Sequence, residues 1–304
     1  MATMLALQPT LRPNVADHQK TLMEEGYCVV PDLLPASDIA ALDEDLGARF
    51  AATPFCEGGF YGYRTKRFGS LLKRSRHAAA LIQHGVILDI AQRTLGPWCD
   101  TIQLNLAQAL ELHPGALPQF PHRDQDMWRG PVGELEYLIN VMWPFTDYRR
   151  DNGTTLIWPR SHGRNAALAE PAEDPVAVEC TPGSAIVFLG STLHGAGGNL
   201  TDAPRRGMIV SYCLGWLKPY ENQWLVYPPE VARGFDPALA ALVGYQQHKP
   251  NLGNYEGRCP SILLRGQPDD HLAAVDALRP DQTSALTEYL AGQNARVPDR
   301  RHSG

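Results

Sequence analysis

The chain lacks a surplus of positive charge. Its 27 Lys and Arg are outnumbered by 33 Asp and Glu, which leaves a net charge of −6. Binding to nucleic acid calls for clustered Lys and Arg that displace phosphate counterions. The basic runs here, between Arg64 and Arg76 and at Arg300 and Arg301, are short and mixed with other residues, so no nucleic-acid partner is expected. Also absent is any run near the roughly 18 apolar residues that a membrane span requires, and no membrane association is expected. Residues 1–15 carry no basic stretch leading into an apolar one, the pattern of a secretory leader. The six Cys, at positions 28, 56, 99, 180, 213 and 259, include no Cys-x-x-Cys pair, which argues against a thiolate zinc site. Scattered thiols without a leader fit reduced cysteines in a cytoplasmic protein. No Gly-x-Gly-x-x-Gly follows a strand-like run, so a dinucleotide-binding sheet has no support.

What is present is the composition of an ordinary globular protein, 44% hydrophobic and 20% charged over 304 residues. No repeat, low-complexity block or Gly/Ser linker divides the chain. One domain over residues 1–304 is expected, with a helical part to about 98, a β core over about 99–217 and a helical extension over about 218–304. Residues 16–25 read as a helix closed by Gly26, and residues 27–30 as a short strand ended by Pro31. Ser37 offers an N-cap to a helix over 38–50, whose Ile39, Leu42, Leu46 and Phe50 fall on one stripe. Residues 77–95 read as a further amphipathic helix, closed by Gly96 and Pro97.

From about Cys99 the texture changes. Residues 100–112 alternate, with Ile102, Leu104 and Leu106 on one face and Gln103, Asn105 and Ala107 on the other. Strand-like runs at 136–143, 154–158, 185–189 and 207–214 are separated by turn clusters such as Asp151-Asn152-Gly153. Short strands with this punctuation predict an antiparallel barrel or jelly roll, mainly β with flanking helices. After Pro219 helical signals return at 237–243 and 284–290, and the last dozen residues read as a frayed tail.

Within the β region, His122-Arg123-Asp124 spells His-x-Asp, and His194 follows far downstream. Strand alternation places His122 and Asp124 on one side of the chain. His194 follows an apolar strand and opens a small-residue stretch, Gly195-Ala196-Gly197-Gly198, that leaves room for a bulky ligand. Two imidazoles and one carboxylate can occupy one face of a ferrous ion and leave the other open. Taken singly, each residue has a plainer reading: a lone strand histidine is usually a hydrogen-bonded core or surface residue, and a lone Asp is usually solvated. Arg205 and Arg206 come next. The planar, permanently charged guanidinium suits a dicarboxylate cosubstrate, and only one of two adjacent strand residues faces inward.

These residues resemble the phytanoyl-CoA dioxygenase family of Fe(II)/2-oxoglutarate-dependent oxygenases. The similarity runs from Glu24-Glu25-Gly26-Tyr27 through His122-Arg123-Asp124, Asn152-Gly153-Thr154 and Pro159-Arg160-Ser161-His162 to His194-Gly195, Asn199 and Pro204-Arg205-Arg206. Arg160 stands where the family commonly has Gly. The resemblance implies a double-stranded β-helix (a cupin-like jelly roll) and iron ligands at His122, Asp124 and His194. It further implies Arg205 as the 2-oxoglutarate anchor, with Arg206 as its substitute, and Trp143 lining the cosubstrate pocket. Asn105 is a softer candidate for a cosubstrate contact, and Asp126 and Trp128 are candidates for the substrate side. His162 is assigned to a structural turn. The implied reaction consumes 2-oxoglutarate and O2, releases succinate and CO2, and hydroxylates a small molecule, such as a secondary metabolite or a modified amino acid. Asp124 argues against halogenation, since halogenating relatives lack that carboxylate. A cupin-like divalent-metal lyase or isomerase would leave Arg205 without a clear purpose, and the complete His122, Asp124, His194 and Arg205 set counts against a non-catalytic jelly-roll binding protein.

Overall fold

The computed structural model describes residues 14–168, 171–266 and 271–294. The predicted frayed tail lies almost entirely outside them, as does most of the segment searched for a leader. Among the described residues, no helix is long and apolar enough to cross a membrane. The chain divides into two compact units, ending and beginning at Asn222 and Gln223.

The first unit is the double-stranded β-helix. Its larger sheet has six antiparallel strands: β1 (Tyr27–Val30), β2 (Thr65–Phe68), β3 (Ile102–Leu112), β4 (Leu138–Pro144), β7 (Ala185–Leu189) and β9 (Arg205–Leu214), in the order β1-β7-β4-β9-β3-β2. A second sheet, ordered β6-β5-β8, is formed by β5 (Thr155–Ile157), β6 (Val176–Ala177) and β8 (His194–Ala196). The edge strand β2 carries no apolar alternation (Thr-Lys-Arg-Phe), so it is silent in the sequence pattern.

Helices α1 (Val15–Glu25), α2 (Ala36–Ala52), α3 (Ala78–Ile82) and α4 (Gly85–Leu95) complete this unit. The helix predicted over 77–95 is broken at Gln83-His84. The α2 stripe is as expected, with Ile39, Leu42, Leu46 and Phe50 fully buried. Its cap is not: Pro35 occupies the N-cap and Ser37 lies inside the first turn, where the fixed proline φ substitutes for a side-chain cap.

Strand β3 departs from simple alternation. Leu104 pairs with Tyr212 and Leu106 with Ser211, so Asn105 is an extra residue that bulges. Leu104 and Leu106 therefore face opposite ways, contrary to the expected shared face. From the bulge onward Leu106, Leu110, Met142, Ile186, Phe188 and Ile209 pack between the two sheets with Tyr148, Ile157 and Val178. The other face of the large sheet carries Trp143, Val187, Val210 and Tyr212, all fully buried. There Tyr212 donates to Ile82 O of α3 at 2.7 Å, and Trp143 meets His84 edge-on, ring centroids 5.8 Å apart.

The second unit is helical: α5 (Gln223–Val226), α6 (Pro229–Ala232), α7 (Pro237–Leu242) and α8 (Pro280–Asn294). Asp236 caps α7 by accepting from Ala238 N and Leu239 N, each at 3.0 Å. Tyr227 and Phe235 pack edge to face, and Tyr245 donates to Tyr227 O.

On the outer face of β3, Glu111 is buried among basic side chains: Arg206 Nε at 2.5 Å, His113 Nε2 at 2.6 Å and Lys66 Nζ at 3.7 Å. Burial alone would raise its carboxyl, but hydrogen bonds from Arg206 and His113 outweigh this and hold it below the ordinary value of 4.5. A carboxyl depressed in the folded state stabilises above its unfolded pKa, and the contribution is lost as pH falls through the folded value. We expect Glu111→Gln to cost about 2–3 kcal/mol at neutral pH, the scale of hydrogen bonds to charged groups, and to flatten the loss of stability below pH 4.5. Thermal melts from neutral to acid pH check this, and equal slopes in the two proteins would contradict it.

Candidate active site

Three polar side chains meet at the open end of the cleft between the sheets. His122 and His194 come from distant segments that exchange both backbone hydrogen bonds: His122 N to His194 O at 2.9 Å, and His194 N to His122 O at 3.0 Å. Residues paired in this way project to the same face, and their ring centroids lie 4.4 Å apart. Residue 123 is extended, and Asp124 then opens a 3-10 turn, Asp124–Met127. The predicted strand through 122–124 is thus a single bridge followed by a turn, but the carboxylate still falls beside the rings. Asp124 Oδ1 is 3.5 Å from His122 Nε2, and Oδ2 is 3.6 Å from His194 Nε2. All three ligand-type atoms lie within 4.8 Å of one another, and among the described residues no other such group comes together.

The backbone selects which nitrogen of each ring is presented. His122 Nδ1 lies 2.9 Å from Phe120 O, and His194 Nδ1 lies 3.0 Å from Thr192 O. A carbonyl only accepts, so each Nδ1 carries a proton, and Nε2 is the ring atom each histidine presents beside Asp124. Asn140 Nδ2 donates to Asp124 Oδ2 at 3.0 Å and fixes the carboxylate. Burial pushes the Asp124 carboxyl up, yet the adjoining His194 and His122 outweigh it, with Arg67 adding to them, and draw it down to about 2. Burial depresses His194 against the pull of Asp124. In His122 the bond to Asp124 overcomes burial and raises the imidazole. Two neutral-capable imidazoles and an ionised carboxylate on one face are the donor set of non-haem Fe(II).

These groups open into a cavity of about 400 Å³, whose walls include Leu110, Leu112, Met142, Phe188, Ile209 and Arg205. Strand β9 turns Arg205 inward and Arg206 outward to Glu111 and Asp43. Arg205 is buried, donating to Tyr148 OH at 2.7 Å and Gly153 O at 2.6 Å, with its guanidinium 4.4 Å above the Tyr148 ring. Its Nε has no partner among the described residues. A guanidinium held only by neutral groups is ready for a carboxylate. The Asn152-Gly153 turn thus supplies a carbonyl that aims it. Gly153 has φ of +86° and no room for a Cβ, which would come within 2.9 Å of Gly197 O.

Four sequence-predicted residues do not reach the cavity. Trp143 lies on the opposite face of β4, because its neighbour Met142 takes the inward position. Asn105 is buried in the bulge, donating to Ser211 Oγ and accepting from Tyr220 N. Asp126 is exposed within the 3-10 turn, and Trp128 donates to Lys218 O. His162 sits in a turn with Nε2 3.0 Å from Met23 O, away from the metal-type cluster. Arg160 adopts φ of +54°, the left-handed conformation that suits Gly, and is held there by ion pairs to Glu25 and Glu173. Asn140 and Tyr148 were not foreseen. The signal for Asn140 was available, as a single amide inside the apolar run Leu138-Ile139-Asn140-Val141-Met142.

The family described as phytanoyl-CoA dioxygenase (PhyH) matches residues 22–207. The chain belongs to the phytanoyl-CoA dioxygenase family. It is an iron- and 2-oxoglutarate-dependent dioxygenase. Dioxygenase cdmD of Talaromyces verruculosus is 31% identical over 194 residues, spanning 61% of this chain and 63% of that protein. Dioxygenase trt7 of Aspergillus terreus is 29% identical over 257 residues, spanning 79% and 86%. Among solved structures, the epimerase SnoN in complex with Fe3+, alpha ketoglutarate and nogalamycin RO superposes with a TM-score of 0.57 at 21% identity, covering 73% of this chain and 92% of its own. That likeness is one of fold.

Asn140 fixes the carboxylate without itself being one of the three clustered donors. Removing a group that orients a metal ligand typically weakens metal binding about 10- to 100-fold. We expect Asn140→Ala to lower Fe(II) affinity by roughly tenfold with the fold intact, as read by anaerobic iron titration alongside circular dichroism. Unchanged affinity would contradict the role given to this amide.

Proposed function

We propose that the chain hydroxylates an unactivated C–H of a small molecule. In this reading His122 Nε2, His194 Nε2 and Asp124 hold Fe(II), and Arg205 anchors the distal carboxylate of 2-oxoglutarate. The observation that carries the proposal is the meeting of that donor set with an inward guanidinium that lacks an acid partner in one cavity. Iron, 2-oxoglutarate and O2 together supply the oxidising power, and the cosubstrate leaves as succinate and CO2.

The protein's share is placement and protection. The carbonyls of Phe120 and Thr192 keep both Nδ1 protons in place, so the rings stay in the ligating tautomer. Asn140 keeps Asp124 from rotating, and the low pKa of Asp124 keeps it ionised at working pH. Tyr148 and Gly153 O orient the Arg205 fork before the cosubstrate arrives, which lowers the ordering entropy lost on binding. Leu110, Met142, Phe188 and Ile209 give the cavity an apolar wall that excludes bulk water and strengthens the Arg205–carboxylate pair. Phe188 packs against the His194 ring at 4.6 Å between centroids and restrains it further. A cavity of this size is within the range of small-molecule sites, and SnoN, of like fold, is described with nogalamycin RO bound. The presence of Asp124, which completes the ligand set, favours hydroxylation over halogenation. The same reading takes residues 1–304 as one dioxygenase domain, with every assigned residue in the unit that ends at Asn222.

We expect His122→Ala or Asp124→Ala to reduce 2-oxoglutarate turnover, measured as succinate release, to background. Full activity in either variant would refute the ligand assignment. Arg205→Ala is expected to raise the KM for 2-oxoglutarate by at least about tenfold, the scale of a lost charge-assisted pair. If Arg206→Ala alone has that effect, the anchor is misassigned. A product carrying one added oxygen atom from O2 is the outcome that marks hydroxylation; a desaturated or cyclised product would refute it.

A further inference from the structure

A second guanidinium enters the same cavity, and neither the iron nor the cosubstrate accounts for it. In β2, Thr65 pairs with Leu112 and Arg67 with Leu110. Leu112 in turn pairs with Arg205, so Thr65, Arg67 and Arg205 share the inward face. Arg67 lines the cavity together with His122, Asp124 and Arg205. Its orientation is set by a relay of neutral and acidic groups. Nε donates to Gln108 Oε1 at 3.1 Å, and Gln108 Nε2 donates to Glu221 Oε1 at 3.0 Å. The guanidinium lies over the Tyr61 ring, 5.0 Å from its centroid, and Tyr61 is hydrogen-bonded to Tyr220 through their hydroxyls.

Ion pairing separates Arg67 from four other arginines of the first unit. Arg93, Arg149, Arg160 and Arg206 each have a carboxylate within ion-pair distance. Among the described residues Arg67 has none. Charge balance then makes a demand. With neutral imidazoles, the positive groups of the loaded cavity are Fe(II), Arg205, Arg67 and Arg64, of which Arg64 is exposed to solvent with its Nε donating to Pro114 O. The negative groups are Asp124 and the two carboxylates of 2-oxoglutarate. Two positive charges are left over; water solvates the one on exposed Arg64, and half-buried Arg67 carries the other. A partly desolvated charge gains most from an anion that can meet its planar fork.

The mouth of the cavity supplies the other half of the recognition. Leu117 and Tyr63, both in its wall, are 84% and 70% exposed, and Phe60 packs edge-on against His122. Exposed apolar side chains gathered at a site mark a surface for an apolar ligand. From this arrangement we infer that the substrate of this site is an anionic amphiphile, a small molecule with an apolar body and a carboxylate that pairs with Arg67. The inference rests on the iron and 2-oxoglutarate reading, because that reading assigns Arg205 and Asp124 and leaves Arg67 over. Arg67 then selects the substrate and sets which C–H faces the metal, while Tyr61 and Gln108 hold the guanidinium in plane.

The test uses the full chain loaded with Zn(II), a redox-silent stand-in, and saturated with 2-oxoglutarate. The probes are 4-phenylbutyrate and its neutral amide, with dissociation constants measured by calorimetry or ligand-observed NMR. The expected result is that the acid binds at least about tenfold more tightly than the amide, the scale of one charge-assisted bond. That ratio is expected to fall to about one in Arg67→Gln and to an intermediate value in Arg67→Lys, which keeps the charge but loses the fork. Equal binding of acid and amide by a native chain that does bind 2-oxoglutarate overturns this inference alone. Survival of the acid preference in Arg67→Gln also overturns it. So does a tenfold loss of 2-oxoglutarate binding in that variant with the acid preference intact, since Arg67 would then serve the cosubstrate. A native chain that fails to bind 2-oxoglutarate overturns the reading beneath it as well.

Discussion

The site depends on one pair of backbone hydrogen bonds. His122 and His194 exchange N–H and carbonyl with each other, and that exchange ties a turn-rich approach segment to the short strand after β7. Two imidazoles are thereby forced onto one face at van der Waals separation before any ion is considered. The same local backbone then disposes of each Nδ1 proton, since Phe120 O and Thr192 O stand two residues upstream of the rings they hold. Each ring is left with its Nε2 and one direction in which to present it. Asp124 completes the set because the chain turns into a 3-10 helix at that residue, under a hydrogen bond from Asn140.

The second constraint is the period of a strand. Arg205 and Arg206 are adjacent, so β9 must send them to opposite faces, and the surroundings decide which goes where. Glu111 and Asp43 wait on the outer face and pair with Arg206. Tyr148 OH and Gly153 O wait on the inner face and offer only neutral acceptors to Arg205. Neutral acceptors orient a guanidinium without satisfying its charge, and that difference separates a structural arginine from one free to take a ligand. Arg67 on β2 repeats the inner-face solution with Gln108 and Tyr61.

The sequence made the chemistry legible where spacing and residue type coincide: His122, Asp124, His194 and Arg205 all reach one cavity. The runs at 27–30 and 185–189 are strands with those limits, and the α2 stripe is buried as its period requires. What was not legible depends on tertiary context. Asn105 bulges and flips Leu106 relative to Leu104, which no alternation count reveals. Trp143 is one residue out of phase with the cavity, and in a strand one residue is a whole face. Strand β2 is polar and short, so neither it nor the inward turn of Arg67 could be read before its pairing with β3 was known. Asp126 and Trp128 follow a ligand in sequence but leave the cavity through the 3-10 turn.

The central claim is that two Nε2 atoms and one carboxylate oxygen, fixed by this backbone, bind a single ferrous ion. The most direct measurement is a crystal structure grown anaerobically with Fe(II) and 2-oxoglutarate. The account predicts iron bonded to His122 Nε2, His194 Nε2 and one Asp124 oxygen, with the far carboxylate of 2-oxoglutarate on Arg205. Iron held through either Nδ1 or by other side chains, or a cosubstrate turned away from Arg205, would contradict it.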